Sequence, residues 1–273
     1  MKRPIKFDTV LALTVLFLLI FGLIMITSIG VPKSIALSAP GVDFPNCGDD
    51  NVDCYLLFKK HLFRLGAALI AFFIAFKLPM KFWKKISPAF YGALILLLFL
   101  VLVMGSSYGT IAQNWIVFFN TSLQPSEFAK LAIIVYLSFW LTKKAKYVES
   151  FQDGFIPFII ITGLMVLPIV LQNDFGSIAV IGIVSMSIFF VAGARLKHLG
   201  VAILAALLMS IIVIATVPHV QERFFGFTRI DEECIEDYCW QSQQANIAVG
   251  SGGFWGKGLT QGVQKSYWLP QAS

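Results

Sequence analysis

The sequence predicts an all-α fold, a polytopic membrane helix bundle with about seven spanning helices. Three observations predict it. The composition is 58% hydrophobic and only 13% charged over 273 residues, too apolar for a chain solvated by water on all sides. Seven apolar runs reach the ~17–25 helical residues that cross a ~30 Å hydrocarbon core. The cations gather in alternate connections between those runs.

The first run, residues 8–30, has no small-residue cleavage site and is as long as the later ones, so it reads as a retained helix that doubles as insertion signal. A Pro- and Asp-containing loop, 31–60, leads to the second run, 61–80. Arg64 and Lys77 near its ends read as side chains snorkelling to the headgroups. Lys81, Lys84 and Lys85 make the next connection basic, and the third run spans 86–105. After a polar loop at 106–124 with Trp115, the fourth run occupies 125–142. The fifth and sixth, 154–172 and 176–194, are separated by a very tight turn, and the seventh covers 198–218. Residues 219–273 form a long extracytoplasmic segment of mixed character. The whole reads as one integral-membrane domain.

Cations near helix ends place the N-terminus in the cytoplasm. Twelve of the 21 basic residues then face inward against three acids, Asp8, Glu149 and Asp153. The formal +6 is therefore a topological signal and not a nucleic-acid footprint. Cytoplasmic connections are too short to house a catalytic domain, so chemistry is sought on the outer face.

All four cysteines, Cys47, Cys54, Cys234 and Cys239, fall outside in this topology, where disulfides persist. Four cysteines allow three pairings, and spacing does not choose among them. With no CxxC spacing and no pair of histidines, a zinc site is not expected. His61, His198 and His219 read as interfacial residues.

Ionisable groups within spanning runs are costly and mark candidate sites. Pro125 suits the first turn of the fourth helix, where its missing N–H costs nothing, and Glu127 complements the positive end of the helix dipole. Lys130, three residues on, shares its face and lies within reach of Glu127. Asp174, in the turn before the sixth helix, suits either a cap for that helix or a substrate contact.

The richest segment runs from Trp240 through Gly250, Ser251, Gly252, Gly253, Gly256, Lys257 and Gly258 to Lys265. Its glycines permit positive φ and close approach of a ligand. Backbone N–H groups with Lys257 and Lys265 beside them suit a phosphate or pyrophosphate. Nucleotide motifs do not fit: Ser251 stands where a P-loop needs its first glycine and Gly258 where it needs a hydroxyl. A bland alternative is a loop on the bilayer anchored by Phe254, Trp255 and Trp268.

Together, Gln124-Pro125-Ser126-Glu127 with Lys130, Gln172-Asn173-Asp174-Phe175-Gly176-Ser177, and the tail from Gln243 to Leu269-Pro270 resemble the shape, elongation, division and sporulation (SEDS) family, the FtsW/RodA/SpoVE group of bacterial membrane proteins. The resemblance spans nearly the whole chain. It implies a peptidoglycan glycosyltransferase of the cytoplasmic (inner) membrane that polymerises lipid II into glycan strands during division or elongation. Implied partners are a class B penicillin-binding transpeptidase and other divisome or elongasome membrane proteins. The implied substrate-binding set is Glu127, Lys130, Asp174, Arg223, Gly252, Gly253, Lys257 and Lys265. No cofactor is evident, no metal ligand set is visible, and a divalent cation on the pyrophosphate is left open.

The chain departs from the family pattern in places. Asn114 precedes Trp115 where basic residues are usual, Asn173 replaces the usual proline, and Gln271 replaces the usual glutamate. Family members usually have about ten helices and a Thr-Asp-Phe segment whose aspartate is the favoured base. That aspartate is expected just beyond Ser273, so these 273 residues alone are expected to be inactive, as a truncated form of the polymerase. A lipid II flippase and a non-catalytic division or elongation scaffold are the alternatives.

Overall fold

The computed structural model describes residues 8–39, 47–49, 52–105, 114–118, 121–218, 220–221, 224, 240–258 and 261–263. Arg223, His219, Cys234, Cys239, Lys265 and Trp268 lie outside the described residues. The chain divides into two compact units, Met1–Ala75 with Ile212–Ser273, and Phe76–Ile211.

In the first unit, α1 (Thr9–Ser38) starts at Asp8, whose carboxylate accepts from the Leu11 N–H. It is followed by α2 (Leu56–Lys77). Serines join the two: Ser34 Oγ accepts from the Leu57 N–H and Ser38 Oγ from the Asp53 N–H, both at 3.1 Å. Gly30 faces the Leu57 side chain, the small-residue contact that lets helices in lipid approach closely. Between the two helices Cys47 and Cys54 form a disulfide, one of the local pairings that spacing alone leaves open. The unit also holds a helix at Trp240–Gly252, labelled α8 below.

The second unit begins with α3 (Met80–Met104). A two-stranded antiparallel hairpin follows, β1 (Ile116–Phe118) and β2 (Thr121–Leu123), with Val117 opposite Ser122. Next come α4 (Pro125–Lys143), a 3₁₀ turn at Ala145–Tyr147 and a π-helical turn at Phe151–Phe155. Then follow α5 (Ile156–Leu171), α6 (Phe175–Val191) and α7 (Leu196–Thr216).

The core of this unit is built from α3 to α6. Ala129, Ala132, Ile133 and Leu137 recur at helical spacing along α4 and are fully buried with Leu98, Val101, Met165, Ile169, Ile181 and Phe189. Phe158 stacks on Phe189 with ring centroids 4.1 Å apart, and Tyr91 stacks on Tyr136 at 4.4 Å. Polar groups inside are handed to backbone carbonyls: Gln172 Nε2 donates to Leu98 O at 2.8 Å, and the Tyr91 hydroxyl donates to Ile161 O. The opposite faces are hydrocarbon. Val103, Val191 and Leu96 are 85%, 83% and 72% exposed, a pattern that lipid satisfies and water does not.

The seven long helices overlap the apolar runs read from the sequence with different bounds: α1 continues to Ser38, past the expected end at 30, and α2 and α3 begin at Leu56 and Met80, before the expected starts at 61 and 86. Among the described residues four helical stretches, Thr9–Ser38, Met80–Met104, Phe151–Leu171 and Leu196–Thr216, are long and apolar enough to cross a membrane, and Phe175–Val191 is a shorter apolar helix. α2 and α4 carry more charge, with Lys59, Lys60, Arg64 and Lys77 on one and Glu127, Lys130 and Lys143 on the other. The protein is a multi-pass membrane protein.

Local structure adds to the expectations in three places. The polar loop between α3 and α4 contains a hairpin, where alternation over only three residues per strand is too short to signal one. The connection at 143–154 is coiled into 3₁₀ and π turns. The glycine-rich tail is helical as far as Gly252, where a loop is the simpler reading of its composition. His198 is not a free interfacial side chain: its ring stacks on Phe155 at 5.1 Å.

Candidate functional site

The turn between α5 and α6 is set by local chemistry. α5 ends at Leu171, and Asn173 adopts φ +58°, a left-handed conformation that asparagine tolerates better than most residues. The Asn173 N–H reaches Val170 O at 3.0 Å and the Asp174 N–H reaches Ile169 O at 3.3 Å. These are the two bonds of a Schellman motif. A proline, fixed near φ −65° and lacking the N–H, has no access to this geometry. Asp174 then caps α6, its Oδ1 accepting from the Ser177 N–H at 3.1 Å.

The other oxygen gathers distant segments. Asp174 Oδ2 accepts from Asn114 Nδ2 at 2.9 Å, Gln124 Nε2 at 3.0 Å, Ser126 Oγ at 3.0 Å and Ser177 Oγ at 2.8 Å. The two serine hydroxyls lie 3.3 Å apart. Asn114 precedes β1 and Gln124 follows β2, so one carboxylate closes the base of the hairpin, the first turn of α4 and the start of α6.

Burial by itself raises the pKa of Asp174. Hydrogen bonds from Asn114, from the Ser177 side chain and backbone, and from Ser126 outweigh that cost. The net pKa lies below the usual aspartate value, because each donor favours the ionised form. A carboxylate so held is a fixed negative charge and a structural junction, with four protein donors on Oδ2 and one on Oδ1.

Glu127 is the residue after Ser126. In the first turn of α4 its Oε1 pairs with Lys130 Nζ at 2.7 Å, with side chains 56% and 25% exposed respectively. The i,i+3 spacing on one helix face makes this contact. The ammonium is thus partly withdrawn from solvent while its partner reaches out. The pair presents a cation of fixed position that is open to an anionic group.

Gly252 closes α8 and Gly253 follows at φ +56°, with its N–H on Val249 O. Gly256 and Gly258 also take positive φ, +73° and +94°, so the backbone at these two positions favours glycine. Lys257 is exposed between them, and Phe254 and Trp255 are 93% and 92% exposed. Of the residues predicted as one set, Glu127, Lys130 and Asp174 lie together in the Phe76–Ile211 unit, while Gly252, Gly253 and Lys257 lie in the other. Arg223 and Lys265 are outside the described residues.

Asn114, Gln124, Ser126 and Ser177 are members of the cluster that the sequence did not mark as site residues. Gln124, Ser126 and Ser177 stand inside the motifs named above, each close to a candidate charge, and that proximity was the available signal. Asn114 is 60 residues from Asp174, and nothing local marks it. Among the described residues no group of three His, Cys, Asp or Glu side chains is placed to hold a metal ion.

Comparison with known proteins places the chain among relatives. Over 255 residues the chain is 34% identical to the probable peptidoglycan glycosyltransferase FtsW of Taylorella equigenitalis, covering 92% of this chain and 66% of that one. The protein of the same name from Allochromatium vinosum is 34% identical over 274 residues, 99% of this chain and 65% of its own length. That from Burkholderia thailandensis is 31% identical over 273 residues, 99% and 57%. The chain thus spans less than two thirds of the length of these relatives. A chain in a solved peptidoglycan synthase complex, described as coordinating polymerization and crosslinking, shares the fold with a TM-score of 0.56 at 24% identity, covering 92% of this chain and 67% of that one. The profile of the FtsW/RodA/SpoVE family, described as cell cycle proteins, matches residues 8–273. The chain belongs to the FtsW/RodA/SpoVE family.

Proposed function

We propose that this chain carries the membrane machinery of a peptidoglycan glycosyltransferase that polymerises lipid II on the outer face of the bacterial cytoplasmic membrane. The observation that carries the reading is the Glu127/Lys130 ion pair, one residue beyond a serine held by Asp174, in a chain 34% identical to FtsW proteins named as such transferases. The N-terminus is cytoplasmic in this proposal, supported by the bias of basic residues toward alternate connections.

Glycosyl transfer to a sugar hydroxyl needs a base for the attacking proton and cations or N–H groups for the departing pyrophosphate. Lys130 suits the second role: Glu127 holds its ammonium at one position, and its partial burial strengthens attraction to a diphosphate. Lys257, with the backbone amides around Gly256 and Gly258, is a separate candidate for contact with an anion, within its own unit. Asp174 acts as a positioning residue in this scheme. Its carboxylate is committed to five hydrogen bonds within the protein, four of them on Oδ2, which suits that role. A class B penicillin-binding transpeptidase is the proposed partner, the pairing of polymerization with crosslinking being what the structurally similar complex is described as doing.

The test is purified protein containing this chain, given lipid II in detergent. Glycan polymer forming without a membrane to cross supports the polymerase. Transbilayer movement of lipid II in vesicles with no polymer in detergent replaces this reading with transport.

A further inference from the structure

The helices of the Phe76–Ile211 unit leave a groove of about 390 Å³ between the C-terminal halves of α4 and α6, at the end of the bundle opposite Asp174. It is lined by Ser138, Leu141, Thr142 and Ala145 on one side and by Ile188, Val191 and Ala192 on the other. Its polar atoms are already used. Ser138 Oγ donates to Ile134 O at 2.6 Å and Thr142 Oγ1 to Ser138 O at 2.7 Å, so each hydroxyl proton serves its own helix. Leu141, 2% exposed, belongs to the wall next to the core, and the small side chains of Ala145 and Ala192 leave the space open. Hydrocarbon suits such a lining, and the volume falls in the ~300–1,000 Å³ range of small-molecule sites.

The end of the groove is strongly basic. Lys143, Lys144 and Lys146 surround the lining residue Ala145 and are all exposed, and none forms an ion pair with a carboxylate among the described residues. Of the two acids in the α4 to α5 connection, Glu149 is bridged to Arg195 at 3.2 Å and Asp153 faces Ser150. The Lys144 ammonium lies 5.4 Å from the Tyr147 ring centroid, a contact that holds it at the connection without a carboxylate partner among the described residues. Lys197 adds a further exposed cation in the first turn of α7.

We infer that this groove is a binding site for one anionic phospholipid, an acyl chain lying between α4 and α6 and the phosphate held by Lys143, Lys144 and Lys146. Charge complementarity selects the occupant: a zwitterionic lipid fills the groove equally well but gains little from the three unpaired ammoniums. Each lysine near an anionic headgroup contributes about 1 kcal/mol, or roughly fivefold in binding. The site lies at the other membrane face from the proposed reaction and does not depend on it.

The experiment is native mass spectrometry of the purified chain released from micelles containing phosphatidylglycerol and phosphatidylcholine in equal amounts. Wild-type protein is expected to retain one phosphatidylglycerol in preference to phosphatidylcholine. Replacing Lys143, Lys144 and Lys146 by Gln lowers that preference by about tenfold or more. Ala192→Phe, which fills the groove without touching the charges, lowers retention by about fourfold or more, the equivalent of one lost methylene contact. Ala145→Phe does the same from the facing helix and serves if Ala192→Phe does not fold. Equal retention of the two lipids by wild-type protein overturns the assignment, as does wild-type retention in the lysine variant or in a folded groove-filling variant.

Discussion

The side-chain amide of Asn114 donates to the Asp174 carboxylate at 2.9 Å, joining the residue before β1 to the turn between α5 and α6. With Gln124 on the same oxygen at 3.0 Å, both ends of the β1–β2 hairpin are pinned to one charge. Removing that charge releases the hairpin, the first turn of α4 and the cap of α6 together.

Asp174→Ala is therefore expected to lower stability by about 2–4 kcal/mol, combining a lost cap with several donors left without a partner. Thermal unfolding in detergent measures it, and Asp174→Asn should fall between the two. The pH dependence follows from a folded-state pKa below the ordinary aspartate value. The stabilisation is complete above the unfolded-state pKa and is lost as pH falls through the lowered folded value. Wild-type protein should thus lose more stability than Asp174→Ala on acidification below the ordinary aspartate range. Parallel acid profiles for the two would show that the carboxylate is not held as described.

Asn173 sits at φ +58° with its N–H bonded to Val170 O. Asn173→Gly is expected to change stability by less than about 1 kcal/mol, since glycine adopts this conformation freely. Asn173→Pro should cost about 3 kcal/mol or more, because the ring forbids the angle and deletes the donor. Equal melting temperatures for the two variants would refute the turn geometry.

Gly154 and Gly163 separate steric from conformational effects. A Cβ on Gly154 meets the carbonyl oxygens of Tyr147 and Val148, each at 2.5 Å, and backbone there cannot swing aside as a side chain does. Gly154→Ala should destabilise by about 1–3 kcal/mol. Gly163, in the middle of α5, has nothing within 4 Å of such a Cβ, and Gly163→Ala should gain about 0.5–1 kcal/mol from helix propensity. Opposite signs in paired unfolding measurements are the expected result.

Lys130→Ala tests the proposed reaction. The Glu127/Lys130 pair is partly exposed, so its loss should cost at most about 1 kcal/mol of stability. Polymerisation of lipid II should fall by about two orders of magnitude, the scale of removing one transition-state donor, with membrane abundance unchanged. Lys130→Arg, which keeps the charge and changes its shape, should restore part of the rate. Wild-type turnover in Lys130→Ala would take this residue out of the site.

The sequence by itself determined the lipid-solvated helices, because a run of apolar side chains long enough to span hydrocarbon is a local property, read without knowing its neighbours. It also determined the contact between Glu127 and Lys130, since three residues on one helix fix the distance. Motif order was sufficient for the family, and Asp174 at the head of α6 was legible as a cap from its place before Phe175 and Ser177. Only the tertiary structure decided that the same aspartate holds Asn114, Gln124 and Ser126, which are 60, 50 and 48 positions away. Such contacts depend on which helix ends meet, and that is set by burial of Leu98, Ala129, Ile169 and Ile181 in one core. The local pairing of Cys47 with Cys54 was likewise a choice among allowed bridges until the chain's path was known. Side-chain chemistry is written residue by residue, while the convergence of distant polar groups on one carboxylate is a property of the packed helices that carry them.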